Sequence, residues 1–263
     1  MRKAVPAFAT GHTHERPVAA ALRSSFAAVW IHRMPAAGAP PIIVAPDGAI
    51  DLQWIEGSLR VAGPDREPKT EIVPAGAMVI GFRFQPAAAA SWLRSPASEM
   101  VGLRLALEDL WGAKARRLVS KIRGDGPDLV ASLEAALIEY APIDMAANSV
   151  MRAAYTQIEA GPPPGVALVP WLGRSLGISE RTLRRRFDES FGYGPKTLDR
   201  ILRYQRFLRL ARTSPLPAAM LAVEAGYADQ AHLVRESRRL SGATPRERLR
   251  SGLSSETGDT LRR

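Results

Sequence analysis

The spacing of hydrophobic and polar positions changes near residue 107 of this chain. Before it, short runs rich in β-branched and aromatic residues alternate with turn residues such as Pro46-Asp47-Gly48. These runs predict strands over 28–34, 42–45, 50–55, 58–62, 78–84 and 101–107. After it, apolar residues recur every three or four positions, which predicts helices over 108–118, 127–140 and 143–160. Short strands at this spacing are typical of a small antiparallel sandwich or barrel.

A proline-rich segment at 161–165 separates this region from a second, helical one. Three prolines between Gly161 and Gly165 cannot continue a helix, so they predict a stiff linker. The predicted organisation is a flexible arm over 1–20, a β-rich domain with a helical segment over 21–160, the linker, a helical domain over 166–252 and a disordered tail over 253–263. The fold class is therefore α+β, with an all-α C-terminal domain.

Two similar units follow the linker, at 168–187 and 219–235. Each has an apolar helix, a glycine at a turn (Gly177 and Gly226), a polar helix cap (Ser179 and Asp229) and a second helix that carries arginine. The pattern predicts two helix-turn-helix units joined by a helix over 195–213. Its 19 residues span about 28 Å, close to the ~34 Å of one DNA turn. Such a helix could hold two recognition helices in successive segments of the major groove.

The helical period separates a packing side from a cationic side in each unit. In the first, Leu183, Phe187 and Phe191 share one face, and Arg181, Arg184 and Arg185 lie opposite. In the second, leucines 233 and 240 face inward, and arginines 235, 238 and 239 face outward. Arginine pairs bidentately with guanine in the major groove. The alternative is an ordinary amphipathic helix with a solvated arginine face, which a second copy of the unit makes less favourable.

The charge distribution agrees with a polyanionic partner for the C-terminal domain. The chain has 36 Lys+Arg and 26 Asp+Glu, a formal charge of +10. Residues 1–160 hold 17 basic and 16 acidic side chains, whereas residues 161–263 hold 19 and 10, a net charge of +9. A basic domain beside a neutral one favours nucleic-acid binding over a basic surface kept for solubility.

Residues 176–187, 192–196, 225–233 and 241–245 together resemble the AraC-type DNA-binding domain. The resemblance implies a sequence-specific transcription regulator that binds double-stranded DNA. By position, Arg181, Arg184, Arg185, Gln230, His232 and Arg235 would read bases, and Ser179, Lys196, Arg238 and Arg239 would contact phosphates.

The N-terminal domain resembles the β-rich sensor-like domain that precedes this DNA-binding domain in some regulators. The resemblance rests on residues 46–52, 61–64, 81–86 and 107–112. It implies a small-molecule effector or a homodimer as a further partner, although the residues themselves identify neither.

One position departs from the family pattern. Ser237 occupies the place of an aromatic residue in the second unit, equivalent to Phe187 in the first. The missing ring predicts a thinner core, so that Ser237→Phe would raise the thermal stability.

The remaining residues indicate no catalytic chemistry. There is no cysteine, nucleophile elbow, phosphate loop or dinucleotide fingerprint. His12 and His14 lie in the predicted arm, so neither a metal nor a cofactor is expected. Asp47, Asp51 and Glu56 are interpreted as solvated turn carboxylates, and the tryptophans at 30, 54 and 92 as core residues rather than the lining of a ligand pocket.

The expected protein is therefore a non-enzymatic, cytoplasmic regulator. No run of 18 apolar residues predicts a membrane span, and the chain start is too short and proline-broken for an export signal. Three alternatives stay open: a non-specific architectural DNA binder, an enzyme with a DNA-binding appendage, and a protein–protein adaptor that uses helices 108–160.

Overall fold

Two β-sheets form the N-terminal domain. The structure, a computed structural model, describes residues 5–6, 12–36, 40–142, 148–163 and 165–249. A six-stranded sheet has the order β2-β3-β8-β5-β6-β9, and a three-stranded sheet has the order β1-β4-β7. The strands are β1 (Val5–Pro6), β2 (His12–Arg16), β3 (Phe26–Arg33), β4 (Ile42–Val44), β5 (Asp51–Ile55), β6 (Ser58–Ala62), β7 (Lys69–Glu71), β8 (Met78–Phe84) and β9 (Arg104–Ala106).

The large sheet is antiparallel throughout and has two chemically different faces. Leu52, Val61 and Phe82 alternate onto one face, where they pack into a buried apolar core with the helices that follow the sheet. Asp51, Gln53 and Arg83 lie on the opposite face. The two sheets do not close into a barrel, so the predicted antiparallel β-rich fold is confirmed in its open form.

Trp30 lies flat across the polar face of the large sheet. It pairs in register with Gly81, and a Cβ atom added to that glycine would lie 2.0 Å from the indole ring. Only glycine leaves room for a ring at that place in β8. The interpretation of Trp30 as an ordinary core residue is therefore wrong for this tryptophan, whereas Trp92 is buried and packs in the core.

Short helices cover the apolar face of the large sheet. They are α1 (Ala89–Leu93), a 3-10 helix (Ala97–Met100), α2 (Leu107–Trp111), α3 (Ala113–Val119) and α4 (Gly126–Ile138). The helix predicted over 108–118 is broken in two at Gly112, which has a φ of +52°. Glu134 of α4 is buried and binds Arg16 of β2 at 3.0 Å, which ties this helix to the edge of the sheet.

In the described residues, six further helices build the C-terminal domain. They are α5 (Ser149–Ala160), α6 (Leu168–Leu176), α7 (Glu180–Phe191), α8 (Pro195–Thr213), α9 (Ala218–Glu224) and α10 (Gln230–Ser241). α8 has the bounds that the sequence predicted. Residues 245–249 form a further helical turn with a capping box at its start, where the backbone N–H of Thr244 donates to Glu247 at 2.7 Å.

Packing changes two predicted domain boundaries. Met151, Ala154 and Ile158 of α5 belong to the core of the C-terminal helices, so α5 is part of the second domain and not of a domain that extends to residue 160. At the other end, residues 12–16 pair with β3 and Val18 is buried, so the predicted arm over 1–20 is wrong for this part. The predicted tail over 253–263 lies outside the described residues.

Ser237 does not leave a thin core, contrary to the expectation from the family pattern. Its side chain is fully buried, and its hydroxyl donates to the Ala243 carbonyl at 2.8 Å. The hydroxyl of Tyr204, from α8, reaches the same place and donates to Ser241 at 3.0 Å. A buried polar network therefore occupies the volume that an aromatic ring fills in the first unit.

We expect Ser237→Phe to lower the melting temperature rather than raise it. The ring would overpack the site, at a cost of about 1–3 kcal/mol, and the Ala243 carbonyl would lose the closer of its two hydroxyl donors, keeping Ser241 at 3.3 Å. Thermal unfolding followed by circular dichroism measures the change, with Ser175→Phe at an exposed position of α6 as the control. A melting temperature equal to or above that of the wild type would contradict this assignment.

Candidate nucleic-acid interface

Both predicted recognition helices start at a side-chain cap and end at a left-handed glycine. The Ser179 hydroxyl accepts from the Thr182 backbone N–H at 3.2 Å at the start of α7, and the Asp229 carboxylate accepts from the His232 N–H at 2.6 Å at the start of α10. The helices end at Gly192 and Gly242, with φ of +77° and +70°. The two units thus repeat their local structure as well as their sequence.

Buried side chains spread around most of α8 join the two units. Leu198, Tyr204 and Phe207 are fully buried, and they share a core with α5, α6, α7, α9 and α10. The guanidinium of Arg206 donates to the carbonyls of Ile158 at 3.1 Å and of Ala225 at 3.0 Å. A single side chain of α8 therefore binds the carboxyl ends of both α5 and the first helix of the second unit.

The three arginines predicted to read bases in the first unit are all exposed on α7. Arg184 and Arg185 keep 61% and 63% of their side-chain surface in solvent and pair with Glu180 and Glu189 on the same helix. Exposed pairs of this kind contribute only about 0.2–0.5 kcal/mol, so a phosphate or a base edge can displace the carboxylates at little cost. Arg181 is also exposed.

In the second unit the predicted residues fall into two groups. Gln230 and Arg235 are exposed on α10, at its start and one turn further on. His232 is half-buried, and its ring contacts the Tyr227 ring edge-on at 5.2 Å. Tyr227 therefore fixes the orientation of the imidazole, which leaves His232 less free than its neighbours to reach a base.

Of the four residues predicted to contact phosphates, three are exposed cations. The fourth, Ser179, already makes hydrogen bonds within the protein. Lys196 lies at the start of α8, and Arg238 and Arg239 lie in the last turn of α10. The hydroxyl of Ser179 donates to Thr182 Oγ1 at 3.0 Å in addition to its capping role.

The N-terminal domain borders the first recognition helix. Arg181 and Arg185 line one groove with Pro96 and Ser98, which belong to the segment around the 3-10 helix. At the end of α7, a Cβ atom added to Gly192 would lie 2.6 Å from Val101, so only glycine fits where the helix meets that segment. A duplex that reaches Arg181 therefore passes beside the N-terminal domain.

A second contact joins the loop between β4 and β5 to α8. Gln205 donates to the Pro46 carbonyl at 2.7 Å. A Cβ atom added to Gly48 would lie 3.3 Å from Leu198 and 3.4 Å from Leu202, so this loop lies directly on the helix that carries both recognition units. We call residues 46–48 the docking loop.

A cavity of about 350 Å³ lies between the two sheets of the N-terminal domain. We call it the intersheet cavity. Apolar side chains that contribute to its lining are Trp30, Ile42, Val44, Val73 and Val79, and charged ones are Glu15, Asp47, Asp51, Arg60, Asp65, Glu71, Arg83 and Arg104. Small-molecule sites usually have volumes of about 300–1,000 Å³, so this cavity is large enough to hold a small ligand.

The interpretation of Asp47 and Asp51 as solvated turn carboxylates is wrong. Arg83 binds Asp47 at 2.7 Å and Asp51 at 3.2 Å, and all three side chains line the cavity. Burial raises the pKa of the Asp51 carboxyl, as does the negative charge of Asp47, whereas Arg83 opposes the shift. Glu56, by contrast, is exposed in a turn, as expected.

Sequence reasoning missed the cavity because its charged residues come from separate strands. One signal was present: polar residues stand at alternate positions in otherwise apolar strands, as at Asp51 and Gln53 in β5 or at Arg83 in β8. The register that brings Asp51 opposite Arg83 is needed to turn that alternation into a cluster.

Two known protein families match separate parts of the chain. Residues 172–251 match the family described as "Helix-turn-helix domain", and residues 14–106 match "Domain of unknown function (DUF6597)". The C-terminal domain is an AraC-type helix-turn-helix domain, which confirms the resemblance seen in the sequence, and the chain is a DNA-binding transcription regulator. No curated protein sequence matches the chain.

Several solved structures of ToxT from Vibrio cholerae are similar to the chain. An apo point variant from strain SCE256 is 12% identical over 90% of this chain and 99% of its own, with a TM-score of 0.46. ToxT from strain O395 is 13% identical over 92% of this chain and 98% of its own, with a TM-score of 0.42.

Two features are absent from the described part of the chain. No helix there is long and apolar enough to cross a membrane. No group of three or more histidine, aspartate or glutamate side chains in the same residues is arranged to hold a metal ion.

Proposed function

We propose that this regulator recognises a specific DNA sequence by inserting α7 and α10 into successive segments of the major groove. Arg181, Arg184 and Arg185 read bases from α7, and Gln230, His232 and Arg235 read bases from α10. Ser179, Lys196, Arg238 and Arg239 contact phosphates, Ser179 through the backbone at the helix start. The proposal assigns the chain no catalytic role and places its action in the cytoplasm.

One observation carries this proposal: two capped helices with exposed arginines pack on a single connecting helix, α8. A solvated arginine face on one helix is common. Solubility does not explain why the whole helical pattern recurs at a spacing of 50 residues, as the packing leucines Leu183 and Leu233 show. The rigid connection through α8 supports a fixed geometry between the two helices, and a fixed geometry is what reading two adjacent half-sites requires.

The same proposal gives the N-terminal domain a regulatory role. The intersheet cavity offers a site for a small-molecule effector, and the docking loop connects that site with α8. An effector acts only through a difference in its affinity for two states of the protein, and this contact is a place where such states can differ. A homodimer is a further proposed partner arrangement.

We expect Arg184→Ala/Arg185→Ala to abolish the preference for the cognate site. Loss of a bidentate base contact costs about 1–3 kcal/mol of discrimination, and the two exposed pairs contribute little to folding. Selection from random duplexes with the full-length wild type should enrich one motif, and the variant should enrich none.

The matched control is Arg116→Ala/Arg117→Ala, which removes two exposed neighbouring arginines from α3 of the N-terminal domain. This variant should select the wild-type motif. An unchanged motif with Arg184→Ala/Arg185→Ala would refute the assignment of α7, and equal affinity of the wild type for all sequences at fixed salt would favour an architectural binder.

We expect Lys196→Ala, Arg238→Ala and Arg239→Ala to weaken binding to cognate and unrelated duplexes alike. Each lost phosphate contact should reduce the slope of log K against log salt concentration by about 0.9. Titrations by fluorescence anisotropy at several salt concentrations measure the slope. A variant that loses affinity for the cognate site alone would instead belong to the base-reading group.

A further inference from the structure

The charge in the intersheet cavity is unevenly distributed. At one end Arg104 binds Asp65 at 2.8 Å and Glu71 at 2.6 Å, and Arg60 binds Glu71 at 2.7 Å. Two guanidinium groups therefore balance two carboxylates there. Arg60 also donates to Gln53 at 2.8 Å, so each guanidinium at this end has two partners.

The opposite end carries an excess of negative charge. Arg83 is shared by Asp47 and Asp51, and Glu15 lies close enough to act on the Arg83 guanidinium electrostatically. Among the described lining residues, three carboxylates thus face one guanidinium at this end. In a partly enclosed site this imbalance attracts a cation and repels an anion, because screening by water is reduced.

An anionic ligand would find no unoccupied cation in the described lining. The lining contains three arginines, Arg60, Arg83 and Arg104. Each of them already binds two acceptors of the protein. A carboxylate would have to displace one of the protein's own carboxylates and leave it buried without a partner, which is costly. A cation, by contrast, adds a partner to carboxylates that share one guanidinium.

We propose that the intersheet cavity binds a small organic cation, with an ammonium or guanidinium group beside Asp47 and Asp51 and an apolar body against Trp30 and Val79. The aromatic face of Trp30 suits this occupant, because indole rings attract cations. The inference rests on the proposed function only in calling the occupant an effector. Its binding is a property of the N-terminal domain and is measured without DNA.

Asp47 gives this site a path to the DNA-binding domain. Its carboxylate binds Arg83 at one oxygen and accepts from the Ala49 backbone N–H at 3.0 Å at the other, so it fixes the docking loop. That loop lies on α8 through Pro46 and Gly48. A cation that binds Asp47 beside Arg83 therefore acts on the contact between the two domains.

The test compares three probes of similar size and different charge on the full-length protein: 4-phenylbutylamine, 4-phenylbutanol and 4-phenylbutyrate. Isothermal titration calorimetry should show that the amine binds most tightly and the carboxylate most weakly. Equal or tighter binding of the carboxylate would overturn the proposal, as would the absence of binding by the amine.

Two variants locate the charged end of the ligand. Asp51→Asn should weaken amine binding about tenfold or more, because a charge-assisted hydrogen bond is lost, and Glu15→Gln should weaken it about threefold, since Glu15 is exposed. Glu15→Gln decides the matter if Asp51→Asn fails to fold. Asp109→Asn, at an exposed position of α2, is the control and should bind the amine like the wild type. Unchanged amine binding in Glu15→Gln and in a folded Asp51→Asn would place the cation elsewhere.

A DNA titration tests the path through Asp47. Saturating amine should change the affinity for the selected duplex about fivefold or more in the wild type, within the usual range of coupling between sites, and much less in Asp47→Asn. Amine binding without a change in DNA affinity would refute the path while leaving the ligand class intact. If random-site selection enriches no motif, the proposed DNA specificity fails, but the calorimetric result stands on its own.

Discussion

The burial of α8 fixes how the two helix-turn-helix units are placed relative to each other and to the docking loop. Helices of both helix-turn-helix units, α5 and the docking loop all pack against this helix. Interiors are packed as densely as organic crystals, so a shift of α8 cannot be absorbed locally and must move the groups that contact it. The relative position of α7 and α10 is therefore set by the same apolar contacts that hold the domain together, and not by the loops between the helices.

The N-terminal domain combines an apolar core with a charged interior. On one face of the large sheet, residues such as Leu52 and Phe82 supply the burial that stabilises the fold. On the other face, arginines and carboxylates are partly removed from water, although hydrophobic residues of similar volume would often be at least as stabilising. The retention of such groups around a cavity is better explained by ligand binding than by stability.

The sequence predicted the elements whose signals are local. The strands at 58–62 and 78–84 and the helix at 195–213 have the predicted bounds, because clear turn residues or a proline at the helix start delimit them. The strands His12–Arg16 and Lys69–Glu71 were missed, since both are short and polar and lie at sheet edges, where periodicity is weak. The sequence also predicted α5 as a helix. It could not show to which domain α5 belongs, because that depends on tertiary packing.

For the candidate nucleic-acid interface, too, the sequence predicted the local features and missed those that depend on the fold. The caps at Ser179 and Asp229 and the exposed arginines of α7 follow from helical geometry alone. The engagement of His232 by Tyr227 and the network around Ser237 do not, because they join residues from different helices of the fold. The charge pattern of the intersheet cavity depends still more on strand register. Its negatively charged end combines residues from β2, β5, β8 and the docking loop.

Hydroxyl-radical footprinting of the full-length protein on its selected duplex tests most directly whether α8 holds α7 and α10 in a fixed arrangement. If it does, two protected segments should appear on one side of the duplex with their centres about 10 base pairs apart, and their spacing should be the same at every selected site. A single protected segment, or a spacing that varies from site to site, would contradict the account.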